Sequence, residues 1–184
     1  VFPDKQSIKG TNRITYKVVD TSQKMQIDLQ APMQIDKVEM NGKMLKFSSE
    51  GAAHFIEFNE TQPLDSEQKI TIYFSGKPIV AKNAPWDGGF SWKKDQNGNH
   101  FIATANQGIG ASVWWPNKDH PYDEADNGVD LKITAPKHLT AVGNGRLIAS
   151  EEKESTKNWH WKVVNPINNY GVNINIGDYV NFSE

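Results

Sequence analysis

The sequence predicts an all-β fold, and three observations carry that reading. Apolar and polar residues alternate in short runs, the pattern of strands buried on one face. Asn41-Gly42 and Asn97-Gly98 stand between such runs, and Asn-Gly pairs accept the positive φ values of tight hairpin turns. No amphipathic helix and no repeat of fixed period competes with the alternation.

Taken in order, Ile8 to Val19 is a long run of β-branched and aromatic residues, and Met25, Ile27 and Leu29 alternate with polar neighbours up to Pro32. Ile35 to Met40 and Met44 to Phe47 flank the first Asn-Gly pair as a hairpin, and Phe55 to Phe58 and Ile70 to Phe74 extend the series. Between Gly76 and Gly89 the alternation lapses into Pro78, Pro85 and a glycine pair, which marks a connection between sub-sheets. Phe90 to Trp92 and His100 to Ala105 bracket the second Asn-Gly pair. Val113 to Asn127 reads as a loop rich in Trp, Pro and carboxylates, followed by alternation at Val129, Leu131 and Ile133. Leu139 to Val142, Arg146 to Ser150, Trp159 to Val164 and Val172 to Ile176 complete the strands, with Gly143-Asn144-Gly145 as a turn. Glu151 to Lys157 is a charged hairpin tip exposed to solvent.

A length of 184 residues suits one β-domain spanning 1–184, with sub-sheets at roughly 1–76 and 90–184. The net charge of -2 is spread evenly and offers no basic stripe to follow a phosphate backbone, so no nucleic-acid partner is expected. The absence of cysteine removes disulfides, thiolate metal sites and cysteine nucleophiles, and leaves the compartment open. No run approaches the length of a membrane span, and Val1-Phe2-Pro3-Asp4 lacks the features of a signal peptide. Starting at Val1, the chain reads as a processed or excised segment of something longer.

The five histidines, at 54, 100, 120, 138 and 160, are scattered, and none lies in a His-Glu-x-x-His pattern that would set two ligands on one helical face. A Gly-x-Ser-x-Gly elbow and a phosphate-cradling loop are missing too. No metal site and no cofactor is therefore expected within this chain. All six tryptophans fall between Trp86 and Trp161. Trp159 and Trp161 share one strand face and read as sheet-face or core residues, whereas the adjacent Trp114 and Trp115 would point to opposite faces. With Asp119, Asp123, Glu124 and Asp126 nearby, these tryptophans leave two readings open. One is an aromatic core, and the other is a sugar-stacking platform on a carbohydrate-binding β-sandwich module.

One stretch is more specific. From Asn106 through Gln107-Gly108-Ile109-Gly110 to Trp114-Trp115-Pro116-Asn117-Lys118-Asp119-His120-Pro121, the chain resembles the N-terminal domain of the M1 family of zinc aminopeptidases. Gln107 stands nine positions before Pro116, and Asp119-His120-Pro121 falls where the family carries Asp-x-Pro. Ala141-Val142-Gly143-Asn144-Gly145 is similar to the strand and turn that follow in the family. The Trp159 to Val164 strand, Pro166 to Tyr170 and Asn175 to Tyr179 look like its closing strands. The resemblance runs from about Asn106 to the C-terminus, with the earlier hairpins fitting more loosely.

The resemblance implies curved, saddle-like antiparallel sheets forming a β-sandwich-like domain. It also implies a following catalytic domain, absent from this chain, that holds zinc in the parent enzyme and removes N-terminal residues from peptides. The expected partners are that catalytic domain and the peptide substrate's N-terminus. By alignment Gln107 is the residue that contacts the substrate's free α-amino group, with Gly108, Ile109 and Gly110 as the rest of the substrate-binding loop. Two readings of Gln107 stay open from the residues alone: a substrate contact, or a cap on a glycine-rich turn. Asn117 and the extra tryptophans depart from the family pattern and leave the preferred side chain undetermined.

Overall fold

The computed structural model describes residues 1–21 and 24–182. Among them there are fifteen strands, three short 3-10 turns and no α-helix. The first six strands are β1 (Ile8–Lys17), β2 (Lys24–Asp28), β3 (Gln34–Met40), β4 (Lys43–Glu50), β5 (Ala53–Glu57) and β6 (Glu67–Gly76). They form one antiparallel sheet in the order β1-β6-β3-β4-β5-β2. The remaining nine are β7 (Gly89–Lys94), β8 (His100–Ala105), β9 (Glu124–Ala125), β10 (Val129–Pro136), β11 (Thr140–Gly143), β12 (Arg146–Glu152), β13 (Thr156–Val163), β14 (Ile167–Asn168) and β15 (Ile174–Gly177). These build a four-stranded sheet β11-β15-β8-β7, a three-stranded sheet β10-β13-β12 and the small pair β14-β9. The architecture is all-β with a strongly curled, half-barrel antiparallel sheet.

Alternation explains the elements. In β6, Ile70, Ile72 and Phe74 are buried while Lys69, Thr71 and Tyr73 face outward, as the two-residue period of a strand requires. Both Asn-Gly pairs lie in turns between paired strands. Asn41 (φ 50) and Gly42 (φ 76) join Met40 to its partner Lys43. In the second hairpin the Asp95 carboxylate accepts the amides of Asn97 and Asn99 and closes a longer loop. The Gly143-Asn144-Gly145 turn carries the chain from β11 in the four-stranded sheet to β12 in the three-stranded one. The loop at 113–127 contains β9, which pairs with β14; two-residue strands are too short to show a period.

One apolar cluster runs through the molecule, from Val38, Ile56, Ile70 and Ile72 of the six-stranded sheet to Phe90, Ile102, Ala141 and Ile176 of the four-stranded one. Each buried isoleucine of this kind contributes about 1.5–3 kcal/mol by leaving water. Backbone bonds tie the two regions as well: Asp28 and Asn117 exchange amide-to-carbonyl bonds of 2.8 and 3.2 Å, and the Gln30 amide donates to the Ser112 carbonyl at 2.9 Å. The connection after β6 runs along β7, with the Phe90 amide donating to the Ile79 carbonyl at 2.7 Å and Ala81 returning a bond to Phe90 at 3.0 Å.

Candidate functional site

The loop after β8 begins at Asn106, whose buried side-chain amide donates to the carbonyls of Tyr170 (2.7 Å) and Val172 (3.1 Å). Its own carbonyl accepts the amides of Ile109 (3.3 Å) and Gly110 (3.0 Å), closing the turn Gln107-Gly108-Ile109. Gly108 has φ +73 with open space around the position of a Cβ, so the left-handed backbone is what requires glycine there. Gly110 is constrained twice, by φ +84 and by the Asp119 carboxylate, which would stand 2.2 Å from a Cβ.

That carboxylate organises the next turn. Asp119 accepts the amides of Ala111 (3.2 Å) and Ser112 (3.1 Å) and the Ser112 hydroxyl (2.6 Å), while its own amide donates to Asp28 at 3.0 Å. An acidic side chain satisfying the free amides at the start of a helical turn is the usual solution to unpaired donors there. The Gln30 side-chain amide donates to the Ile109 carbonyl and, at 2.9 Å, to the Ser112 hydroxyl. The backbone on either side of Gly110 is thus held from the connection that follows β2.

Of the four residues expected to bind substrate, Gln107 and Gly108 are exposed, and Ile109 and Gly110 are half-buried. The Gln107 side chain does not fold back to cap its own turn. Its Oε1 accepts a 2.6 Å hydrogen bond from the Tyr170 hydroxyl. Tyr170 is held in turn by Asn168, whose Oδ1 accepts the Tyr170 amide at 2.9 Å, and by Asn169, whose side chain donates to the Lys118 carbonyl and the Asp123 carboxylate, each at 2.9 Å. A carbonyl oxygen has two lone pairs, so Oε1 keeps an acceptor position beyond the tyrosine bond. Sequence reasoning placed Tyr170 among the closing strands; it lies in a 3-10 turn, Asn169–Gly171. No local signal links it to a glutamine 63 residues away.

The tryptophans form no exposed aromatic face. Trp114 is buried edge-on to Phe90 (6.2 Å), Trp115 packs beside Trp114 (5.9 Å), and Trp92 stacks on Phe90 (5.0 Å). Trp161 donates from its indole nitrogen to the Ala141 carbonyl at 2.9 Å, and Trp159 packs against the core with Lys157 4.3 Å above its ring. Trp86 alone of the six is largely exposed, at 75%. Two of the nearby carboxylates are also occupied structurally: Asp119 as above, and Asp123 by Asn169 and by Lys118 at 3.4 Å.

Among the described residues no three His, Asp or Glu side chains converge as metal ligands, so the residues present do not fit a zinc ion. His54 is buried between the Ser49 hydroxyl (2.8 Å) and the Leu29 carbonyl (3.1 Å), and His160 meets Asp130 at 2.6 Å. The main electrostatic cluster lies away from the loop, on the six-stranded sheet. Lys37 is 2.6 Å from Glu39 and 4.1 Å above the Tyr73 ring. The hydrogen bond from Lys37 holds the Glu39 carboxyl below its ordinary value, and the same bond raises Lys37. Tyr73 is raised chiefly by its hydrogen bond with Glu39.

Comparison with known proteins agrees with this architecture. The family model of the Peptidase M1 N-terminal domain matches residues 1–170. The crystal structure of an M1 zinc metallopeptidase from Deinococcus radiodurans superposes with a TM-score of 0.76 at 15% identity, over 93% of this chain and 38% of that one. A mutant from the same organism bound to a Tyr-Ser-Ala substrate gives 0.75 at 16%, with the same coverages. Native yeast LTA4 hydrolase gives 0.74 at 19%, over 97% of this chain and 27% of that one. At these identities the structures establish the fold, and the chain spans well under half the length of each. No curated protein matches the sequence.

Proposed function

This chain belongs to the peptidase M1 N-terminal domain family, and on that premise we propose that it is the substrate-contacting domain of a zinc-dependent aminopeptidase. The zinc and the hydrolytic groups belong to a catalytic domain outside this chain, which is its partner. The role of this chain is to present the Gln107 amide to the free α-amino group of a peptide. One observation carries the reading: Gln107 is exposed at the tip of a turn closed by the Asn106 carbonyl on the Ile109 and Gly110 amides, and its side-chain oxygen accepts the Tyr170 hydroxyl. An ammonium donating to such an oxygen makes a charge-assisted hydrogen bond, which selects substrates with an unblocked N-terminus. Gly108 supplies the left-handed backbone of the turn, and Gly110 lets Asp119 clamp its base. A sugar-binding face is disfavoured, because five of the six tryptophans are packed into the fold.

Gln107→Ala in the full-length enzyme tests this. A lost hydrogen bond to a charged group is worth about 1.5–3 kcal/mol, so KM for aminoacyl-arylamides should rise and kcat/KM fall at least about tenfold, with zinc content unchanged. Wild-type kinetics in that variant would remove Gln107 from the site. The isolated chain should show no turnover, and chelator-sensitive turnover by it would contradict the assignment.

A further inference from the structure

We propose that Trp86 is a specificity-determining residue of the same site, an apolar wall for the side chain of the substrate's N-terminal residue. This inference rests on the function proposed above and names the substrate feature that the domain reads beside the α-amino group. Trp86 is 75% exposed, whereas the other five tryptophans are buried or half-buried. A single exposed apolar residue is ordinary, so exposure alone decides nothing. Its placement is what matters.

The loop bearing Trp86 is tied down on its own account. The amides of Trp86 and Asp87 donate to the Asn83 carbonyl at 3.0 and 3.1 Å, and the Asn83 amide donates to the Asp87 carboxylate at 3.0 Å. It is also docked against the Gln107 turn. A Cβ on Gly88 would lie 2.7 Å from the Gln107 carbonyl and 2.2 Å from the Ile109 side chain, so glycine is what lets the two loops touch. Trp86 is two residues from that contact, and two extended residues reach at most about 7 Å. On the far side Gly89 is equally confined, since a Cβ there would stand 2.5 Å from the Ile79 carbonyl. The indole is thus carried on a hydrogen-bonded loop that packs, through Gly88, against the turn that carries the substrate-facing amide. A large flat surface held ready beside a polar anchor is the arrangement that binds an apolar side chain with little loss of conformational entropy.

The test uses the full-length enzyme with Ala-, Leu- and Phe-arylamides. Aromatic contacts of this kind correspond to about two- to tenfold in rate constants. Trp86→Ala should therefore lower kcat/KM about two- to tenfold for the Leu and Phe substrates and leave the Ala substrate within about twofold, and Trp86→Phe should restore most of the loss. A uniform loss across all three substrates, or a loss accompanied by a lower unfolding temperature, would overturn the inference in favour of packing against the catalytic domain. If Gln107→Ala is impaired while Trp86→Ala is not, Trp86 is dismissed and the domain's function stands. If neither variant differs from wild type, the function proposed above fails and this inference with it.

Discussion

In the six-stranded sheet, order is written every second residue: Ile70, Ile72 and Phe74 enter the core from one strand while the ladder satisfies the backbone. Between Asn106 and Gly128 only the two-residue strand Glu124–Ala125 continues a ladder, and much of the backbone is partnered in other ways. There side chains bond the main chain: Asn106 to Tyr170 and Val172, Asp119 to Ala111 and Ser112, Asn169 to Lys118. The sheet is stabilised by apolar burial spread over many residues. The loop depends on a few polar groups, each of which orients a specific stretch of backbone. A scaffold that holds an exposed amide such as that of Gln107 in one orientation uses both kinds of order, since burial cannot fix a group that lies at the surface.

Substitutions in each region sharpen the contrast. The largest effect is expected from Ile72→Ala, a fully buried position paired with both Asn12 and Val38. Removing its side chain should destabilise the isolated chain by about 2–5 kcal/mol in urea unfolding. A loss under about 1 kcal/mol would mean that the shared core is less important than its burial indicates. Asp119→Ala should remove about 1–3 kcal/mol, because the Ala111 and Ser112 amides lose their acceptor. Its signature is local: hydrogen exchange at those amides should accelerate ahead of global unfolding, and unchanged exchange there would dissolve the distinction between the regions. Smallest in stability terms is Tyr170→Phe, expected to shift unfolding by less than about 1 kcal/mol because the Tyr170–Gln107 bond is exposed. The Gln107 side-chain amide should nevertheless become more mobile by NMR relaxation, and an unaltered order parameter would show that Tyr170 does not orient it.

Much of the scaffold was legible in the residues. The run from Ile70 to Phe74, the Asn41-Gly42 hairpin and the lapse between Gly76 and Gly89 each correspond to a feature of the structure. The short pair β9–β14 escaped notice because two residues carry no period. The tryptophans left two readings open, and the structure decides between them. Trp114 and Trp115 next to a group of carboxylates are compatible with a ligand platform, and only packing against Phe90 shows them to be interior.

The longer strands and the hairpin turns were determined by the sequence alone, because alternation and turn chemistry act between residues close together in the chain, and the motif from Gln107 to Pro121 marked the family. Tertiary structure decided that Tyr170 orients Gln107, that Asp119 fills the space left by Gly110, and that Trp86 is the tryptophan left in solvent. Those outcomes depend on hydrogen bonds and contacts between residues far apart in sequence, whose distances exist only once the sheets have closed on their common core.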